Sequence, residues 1–108
     1  NDMIISGGVN IYPAQIEAQL HRMPEVADCA VFGIPDDEYG EAVCAVVQPQ
    51  PGASPTEADV RAFLRRHVAG YMVPKRVEFL PELPREDSGK IFKRKLRQPY
   101  WENAGRSI

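Results

Sequence analysis

Two apolar runs, residues 26–34 and 41–48, lie either side of a short polar break and constrain the fold more than any other feature. Val26, Val31, Phe32 and Ile34 in the first, and Val43, Val46 and Val47 in the second, are residue types that suit a pleated, buried surface. The first run closes at Pro35-Asp36-Asp37, the second at Pro49, Pro51 and Gly52, all of which favour turns over continued strand. A break this short only lets the chain reverse on itself, so the two runs are expected to pair as antiparallel neighbours.

The remaining elements fit around that pair. Residues 2–6 and 9–12 are short and apolar, and Gly7-Gly8 between them reads as a hairpin turn. Pro13 suits the first turn of a helix. Ile16, Leu20 and Met23 then fall at i, i+4 and i+7 on one face, and Pro24 ends the helix. Thr56 or Ser54 can cap a second helix, with Glu57 and Asp59 suited to its positive end. Val60, Phe63, Leu64, His67 and Val68 form its expected inner stripe, and Gly70 its end. Residues 76–80 read as a last short strand. Pro81, Pro84 and Gly89 frame an irregular segment, residues 91–96 a short basic helix, and the tail after Pro99 is loose or partly docked by Tyr100 and Trp101. The order ββ, α, β, β, α, β, α carries no solenoid period. It specifies an α+β domain: an N-terminal β-hairpin followed by a small three-stranded sheet, covered by two to three helices expected on one side.

Composition narrows the function classes. With 108 residues, 44% of them hydrophobic, the chain is expected to be one domain with a modest core. No apolar run is long enough to span a bilayer. The opening residues lack the basic and long apolar regions of a signal peptide, and the cytoplasmic location expected here rests on two cysteines that read as reduced thiols. Beginning inside a strand also suggests that sequence precedes Asn1. Cys29 and Cys44 sit in apolar stretches without a Cys-x-x-Cys pair, which reads as two buried reduced thiols. His21 and His67 read as ordinary helix residues, with no metal site expected. Residues 1–54 hold one base, Arg22, against eight acids, whereas residues 55–108 hold twelve bases against seven acids. That asymmetry marks either a surface that meets an anion or a solvated face. It lacks the interleaved aromatics of a nucleic-acid platform.

Chemistry could lie in Pro84-Arg85-Glu86-Asp87-Ser88-Gly89-Lys90. A phosphate-binding loop would need Gly at the place of Pro84 and Ser or Thr at the place of Ile91, so that reading fails. What remains is a lysine on a glycine-preceded loop. Such a lysine is either merely solvated or a mobile cation able to stabilise developing negative charge. Gly7-Gly8 is by itself a plain turn, and Pro13-Ala14-Gln15-Ile16-Glu17 by itself a helix start.

The three features occur in one order at one spacing. Asp2-Met3-Ile4-Ile5-Ser6-Gly7-Gly8-Val9-Asn10-Ile11-Tyr12-Pro13-Ala14-Gln15-Ile16-Glu17 resembles the motif that opens the C-terminal domain of the adenylate-forming superfamily. Pro35-Asp36-Asp37-Glu38-Tyr39-Gly40-Glu41 resembles its next signature. Val73-Pro74-Lys75, Phe79-Leu80-Pro81-Glu82-Leu83-Pro84 and Ser88-Gly89-Lys90-Ile91 resemble the closing one. The resemblance covers nearly the whole chain apart from the tail, residues 99–108.

It implies the small C-terminal lid of an acyl-CoA synthetase, in which a carboxylic acid, ATP and coenzyme A give acyl-CoA, AMP and pyrophosphate. The ATP with its Mg2+, the acid and the coenzyme A would be bound mainly by a large N-terminal domain, the lid's partner. Lys90 matches the adenylation lysine, Gly7 and Gly8 the pantetheine channel, and Asn10 a nucleotide-contacting position. Asn1 stands where many relatives carry lysine. Lys75 and Arg76, with Arg65 or Arg66, are candidates for coenzyme A phosphates. Alternatives are an adenylation domain that loads a carrier protein, and a stand-alone α+β interaction module without catalysis.

Overall fold

A computed structural model describes residues 3–106, so the calls on Asn1 and Asp2 lie outside the described residues. The chain forms β1 (Ile4–Ser6), β2 (Val9–Ile11), α1 (Pro13–Leu20), β3 (Val26–Asp36), β4 (Gly40–Pro49), α2 (Glu57–Arg65), β5 (Arg76–Phe79) and α3 (Lys93–Arg106), with a 3₁₀ turn at Gly70–Met72. The architecture is the expected α+β one.

β1 and β2 pair antiparallel with Ser6 opposite Val9, which leaves Gly7-Gly8 as a two-residue loop. Both glycines have positive φ, 56° and 82°, the twist-matched hairpin turn that a β-carbon would strain. The second sheet has the order β3-β4-β5. β3 and β4 pair antiparallel as the apolar runs predict, but pairing continues to Asp36 opposite Gly40 instead of stopping at Ile34. β5 then adds parallel to β4, which the 3₁₀ turn and α2 make possible by carrying the chain back across the sheet.

Both faces of this sheet are covered, not one. Cys29 and Val31 with Val43, Ala45 and Val47 pack beneath Ile16, Leu20, Val60, Leu64 and the hairpin's Ile4 and Ile11. Phe32, Ile34, Ala42, Cys44 and Val46 form a second core with Leu83, flanked by Ile91, Leu96 and Tyr100. This explains why residues 29–34 and 42–47 are continuously apolar: a strand buried on both faces has no polar side to alternate with.

Helix ends differ from the expectation, and α1 stops at Leu20, short of Met23 and Pro24. α2 ends at Arg65, not Gly70, and His67 lies outside it, exposed and stacked on the Phe63 ring with 4.3 Å between centroids. Of the two caps the sequence allows, Thr56 serves: its hydroxyl accepts from the Asp59 amide while Asp59 accepts from the Thr56 amide. The basic helix expected over 91–96 is Lys93–Arg106, running through Pro99. Its second half is docked: the Tyr100 hydroxyl donates to Glu78, and the Trp101 indole donates to the Gly33 carbonyl at 3.0 Å. Among the described residues no helix is long and apolar enough to cross a membrane.

Candidate functional site

Three of the candidate residues, Lys90, Gly7 and Lys75, lie at the two ends of the β1–β2 hairpin. At its open end, Met3, Tyr12, Pro13, Ala14 and Glu17 line a groove of about 460 Å³ with Lys90 and Lys93. At its tip, Ser6, Gly7 and Val9 line a more apolar groove of about 390 Å³ with Tyr39, Tyr71, Val73 and Lys75. At strand rise, the step from Met3 to Gly7 separates the two by about 13 Å.

Lys90 sits on a pinned turn rather than a loose loop. The Gly89 amide donates to the Glu86 carbonyl at 2.8 Å, and the Glu86 amide donates to the Lys90 carbonyl at 2.7 Å. Gly89, at φ 91°, takes the left-handed position this turn needs. Arg85 opposes Ile91 in an isolated antiparallel bridge, and the Phe92 amide donates to the Pro84 carbonyl. Lys90 itself is exposed, and among the described residues its ammonium has no hydrogen-bond or ion-pair partner. By contrast, Lys93, the first residue of α3, pairs with the Glu17 carboxylate at 2.9 Å.

The glycine tip is held from the other side. The Gly7 amide donates to the Tyr39 carbonyl at 2.8 Å. A β-carbon on Gly7 would come within 3.1 Å of the Tyr39 ring, whereas one on Gly8 would meet nothing within 4 Å. Tyr39 is carried by the turn after β3, whose Asp36 carboxylate accepts from the Tyr39 amide and from the Lys75 ammonium at 2.5 Å. That lysine bond, then the Tyr39 amide, holds the Asp36 carboxyl below the usual carboxylate range and holds Lys75 above the usual lysine range. Arg61 on α2 fixes the backbone beside Lys75, donating to the Pro74 and Lys75 carbonyls at 3.0 and 2.7 Å.

The structure brings Gly7 and Lys75 to one groove and Lys90 to another. It does not bring Arg76 to either. That side chain lies beside Tyr100 and Glu78, donating to the Glu78 carboxylate and the Tyr100 hydroxyl at 2.8 and 2.7 Å. Asn10 is exposed on β2 opposite Ile5. Arg66 packs over the Phe63 ring and Arg65 is exposed at the end of α2. Sequence reasoning did not single out Tyr39, Arg61, Arg85 or Glu17 for a role. Tyr39 is an aromatic in a polar turn between two strands, which is the one signal that pointed to it. The others act through partners too distant in sequence to read.

Cys29 and Cys44 are buried and unpaired. Burial, then the charges of Glu17 and Asp28, pushes the Cys29 thiol up to about 12, and burial does the same for Cys44. Both remain protonated thiols at neutral pH, unsuited to nucleophilic work.

A small domain with an uncommitted lysine at one end of a hairpin and a glycine-tipped apolar groove at the other presents two chemically different faces. The AMP-binding enzyme C-terminal domain family matches residues 15–90, ending on Lys90, and the chain belongs to that family. It is 50% identical over 99 residues to a feruloyl-CoA synthase of an Amycolatopsis species, covering 92% of this chain and 20% of the relative. It is 41% identical over 107 residues to the fatty acid–[acyl-carrier-protein] ligase ScoC of Streptomyces coeruleorubidus, covering 99% of this chain and 21% of the relative. Among solved structures, apo MatB from Rhodopseudomonas palustris matches with a TM-score of 0.87 at 42% identity, covering 93% of this chain and 20% of that one. The chain thus spans about a fifth of the length of the curated relatives it matches.

Proposed function

We propose that residues 1–108 are the lid domain of an ATP-dependent acyl-CoA synthetase and that Lys90 is its adenylation lysine. The observation that carries this reading is the exposed ammonium of Lys90 on a turn fixed by its own backbone, at the end of the family match. In the first half-reaction the carboxylate oxygen attacks the α-phosphorus of ATP and pyrophosphate leaves. Two anions must meet, and a cation between them lowers that repulsion most as charge builds in the transition state. In the second, a thiol attacks the acyl-adenylate carbonyl and AMP leaves. Magnesium would enter with the nucleotide's phosphates. Among the described residues no group of three or more His, Cys, Asp or Glu side chains is arranged to hold it.

Gly7 and Gly8 suit the second half-reaction, because a tip without side chains leaves room for a thin pantetheine arm beside the Tyr39–Tyr71 groove. Of the two basic candidates for coenzyme A phosphates, Lys75 lines this groove while paired with Asp36, whereas Arg76 lies outside it beside Glu78 and Tyr100. Asn10 is the candidate for nucleotide contact. A carrier protein is the second acceptor to consider, since ScoC, by its name, acts on one. Supplying the complete ligase with free coenzyme A and with a pantetheinylated carrier protein separates the two.

The decisive experiment is Lys90→Ala in the complete ligase. Pyrophosphate exchange should fall at least about 100-fold, the scale on which one preorganised charge acts. Thioester formation from a supplied acyl-adenylate should stay within a factor of about two of the unmodified enzyme, since that step lacks the α-phosphate encounter. Equal losses in both steps would refute the assignment. The isolated chain should form no adenylate, because the ATP and acid pockets belong to the partner domain.

A further inference from the structure

We infer that Arg85 is a positioning residue for Lys90. This rests on the adenylation role proposed above. One Nη of the Arg85 guanidinium donates to the Gly89 carbonyl at 2.9 Å, and the other donates to the Asp28 carboxylate on β3. The Gly89 carbonyl belongs to the peptide plane that carries the Lys90 nitrogen, so this fork ties the orientation of the Lys90 backbone directly to the sheet. Asp28 is itself held, its other oxygen accepting from the Cys29 amide at 2.9 Å.

A second tie works from the other side of Lys90. Lys93 reaches the Glu17 carboxylate of α1, and that carboxylate also accepts from the Val31 amide of β3 at 2.9 Å. Asp28 and Glu17 therefore cap outward-facing amides of β3 and anchor the two bases flanking Lys90. Arg85 is the tie that touches the Ser88-Gly89-Lys90 turn itself.

Stability alone does not account for the fork. The Arg85 side chain is 43% exposed and that of Asp28 19% exposed, and ion pairs this open contribute little to folding. Geometry does account for it. A guanidinium presents two parallel donor groups on one rigid plane, so it can hold a carbonyl and a carboxylate at once. A lysine here would satisfy one partner and leave the other to water.

In the complete ligase, Arg85→Ala should slow pyrophosphate exchange about 10- to 100-fold, the cost expected when a reacting group is misplaced by about an ångström. Thioester formation from a supplied acyl-adenylate should be unchanged, and so should the midpoint of thermal unfolding. Arg85→Lys and Asp28→Asn should fall between Arg85→Ala and the unmodified enzyme. Because Arg85 acts only through Lys90, Arg85→Ala added to Lys90→Ala should cause no further loss. Undiminished exchange in Arg85→Ala, or a multiplicative loss in the double variant, would overturn the inference while leaving the role of Lys90 standing. Failure of Lys90→Ala to slow exchange would overturn that role instead. A parallel loss of both half-reactions together with a lowered unfolding midpoint would make Arg85 structural only.

Discussion

Asp36 serves two elements at once. It accepts from the Glu38 and Tyr39 amides, shaping the turn that seats Tyr39 against Gly7, and it accepts from Lys75 at the start of the strand that completes the sheet. Its carboxyl is lowered first by Lys75 and then by Tyr39. A lowered carboxyl contributes stability above its unfolded value, about 3.9, and loses that contribution as pH falls through the folded value. Lys75 is raised by the same bond, so its share is present below the ordinary lysine value, about 10.4, and is lost as pH rises through the folded value. The clasp is thus intact between about pH 4 and pH 10. Carboxyl resonances followed by NMR should show Asp36 titrating below a denatured control. In Lys75→Met the midpoint should move up without reaching the control, since two amide donors remain; no movement would exclude Lys75 as the chief cause. At this scale the sequence was legible where chemistry is carried by one residue and its immediate neighbours. The buried thiols were legible that way from their apolar neighbours, whereas Lys90 and Gly7 became candidates only through a resemblance spread over most of the chain. The Arg85–Asp28 tie, spanning 57 positions, was not legible, because an arginine in a polar loop looks the same whether or not a carboxylate waits for it in space.

Among elements, β3 shows how an edge strand is kept from pairing elsewhere. It lies at one end of the β3-β4-β5 order, and three of its outward groups are taken by side chains: the Val31 amide by Glu17, the Cys29 amide by Asp28 and the Gly33 carbonyl by Trp101. The last of these explains why α3 continues past Pro99. A proline inside a helix forfeits one backbone bond and crowds the preceding turn, so the sequence alone argues for a stop there. Tyr100 on Glu78 and Trp101 on Gly33 outweigh that local preference by tying the following turn to the sheet. The apolar strand runs were legible because burial on both faces writes itself into every residue; the helix extension was not, because it depends on two long-range bonds. Trp101→Phe keeps a ring and removes the donor. It should lower stability by about 1 kcal/mol, the net value of one hydrogen bond. Amide exchange should quicken after Pro99 while the α2 amides stay protected. Uniform quickening, or none, would show that Trp101 does not pin the second half of α3.

At the scale of the whole molecule, the hairpin links the two candidate sites, with the Lys90 groove at its open end and the Tyr39–Lys75 groove at its tip. A rigid domain cannot place both ends over one reaction centre together, since they stand about 13 Å apart. If the proposed roles hold, the two half-reactions depend on opposite ends, and a defect at one end should spare the other. Gly8 offers the cleaner test at the tip, because a side chain there meets nothing within the domain, whereas one on Gly7 would press on Tyr39. Backbone strain must be separated from obstruction, since Gly8 has φ 82° and any other residue costs about 1–2 kcal/mol there. Gly8→Ala carries that strain with little bulk, and Gly8→Leu carries the same strain with a side chain long enough to enter a channel. In the complete ligase, pyrophosphate exchange should remain within a factor of about two in both variants, because under the proposed roles adenylation depends on Lys90 and not on the tip. Thioester formation should fall roughly 100-fold in Gly8→Leu and far less in Gly8→Ala, the reverse of the Lys90→Ala pattern. Equal losses in the two glycine variants would assign the effect to strain in the hairpin and remove the channel from its tip.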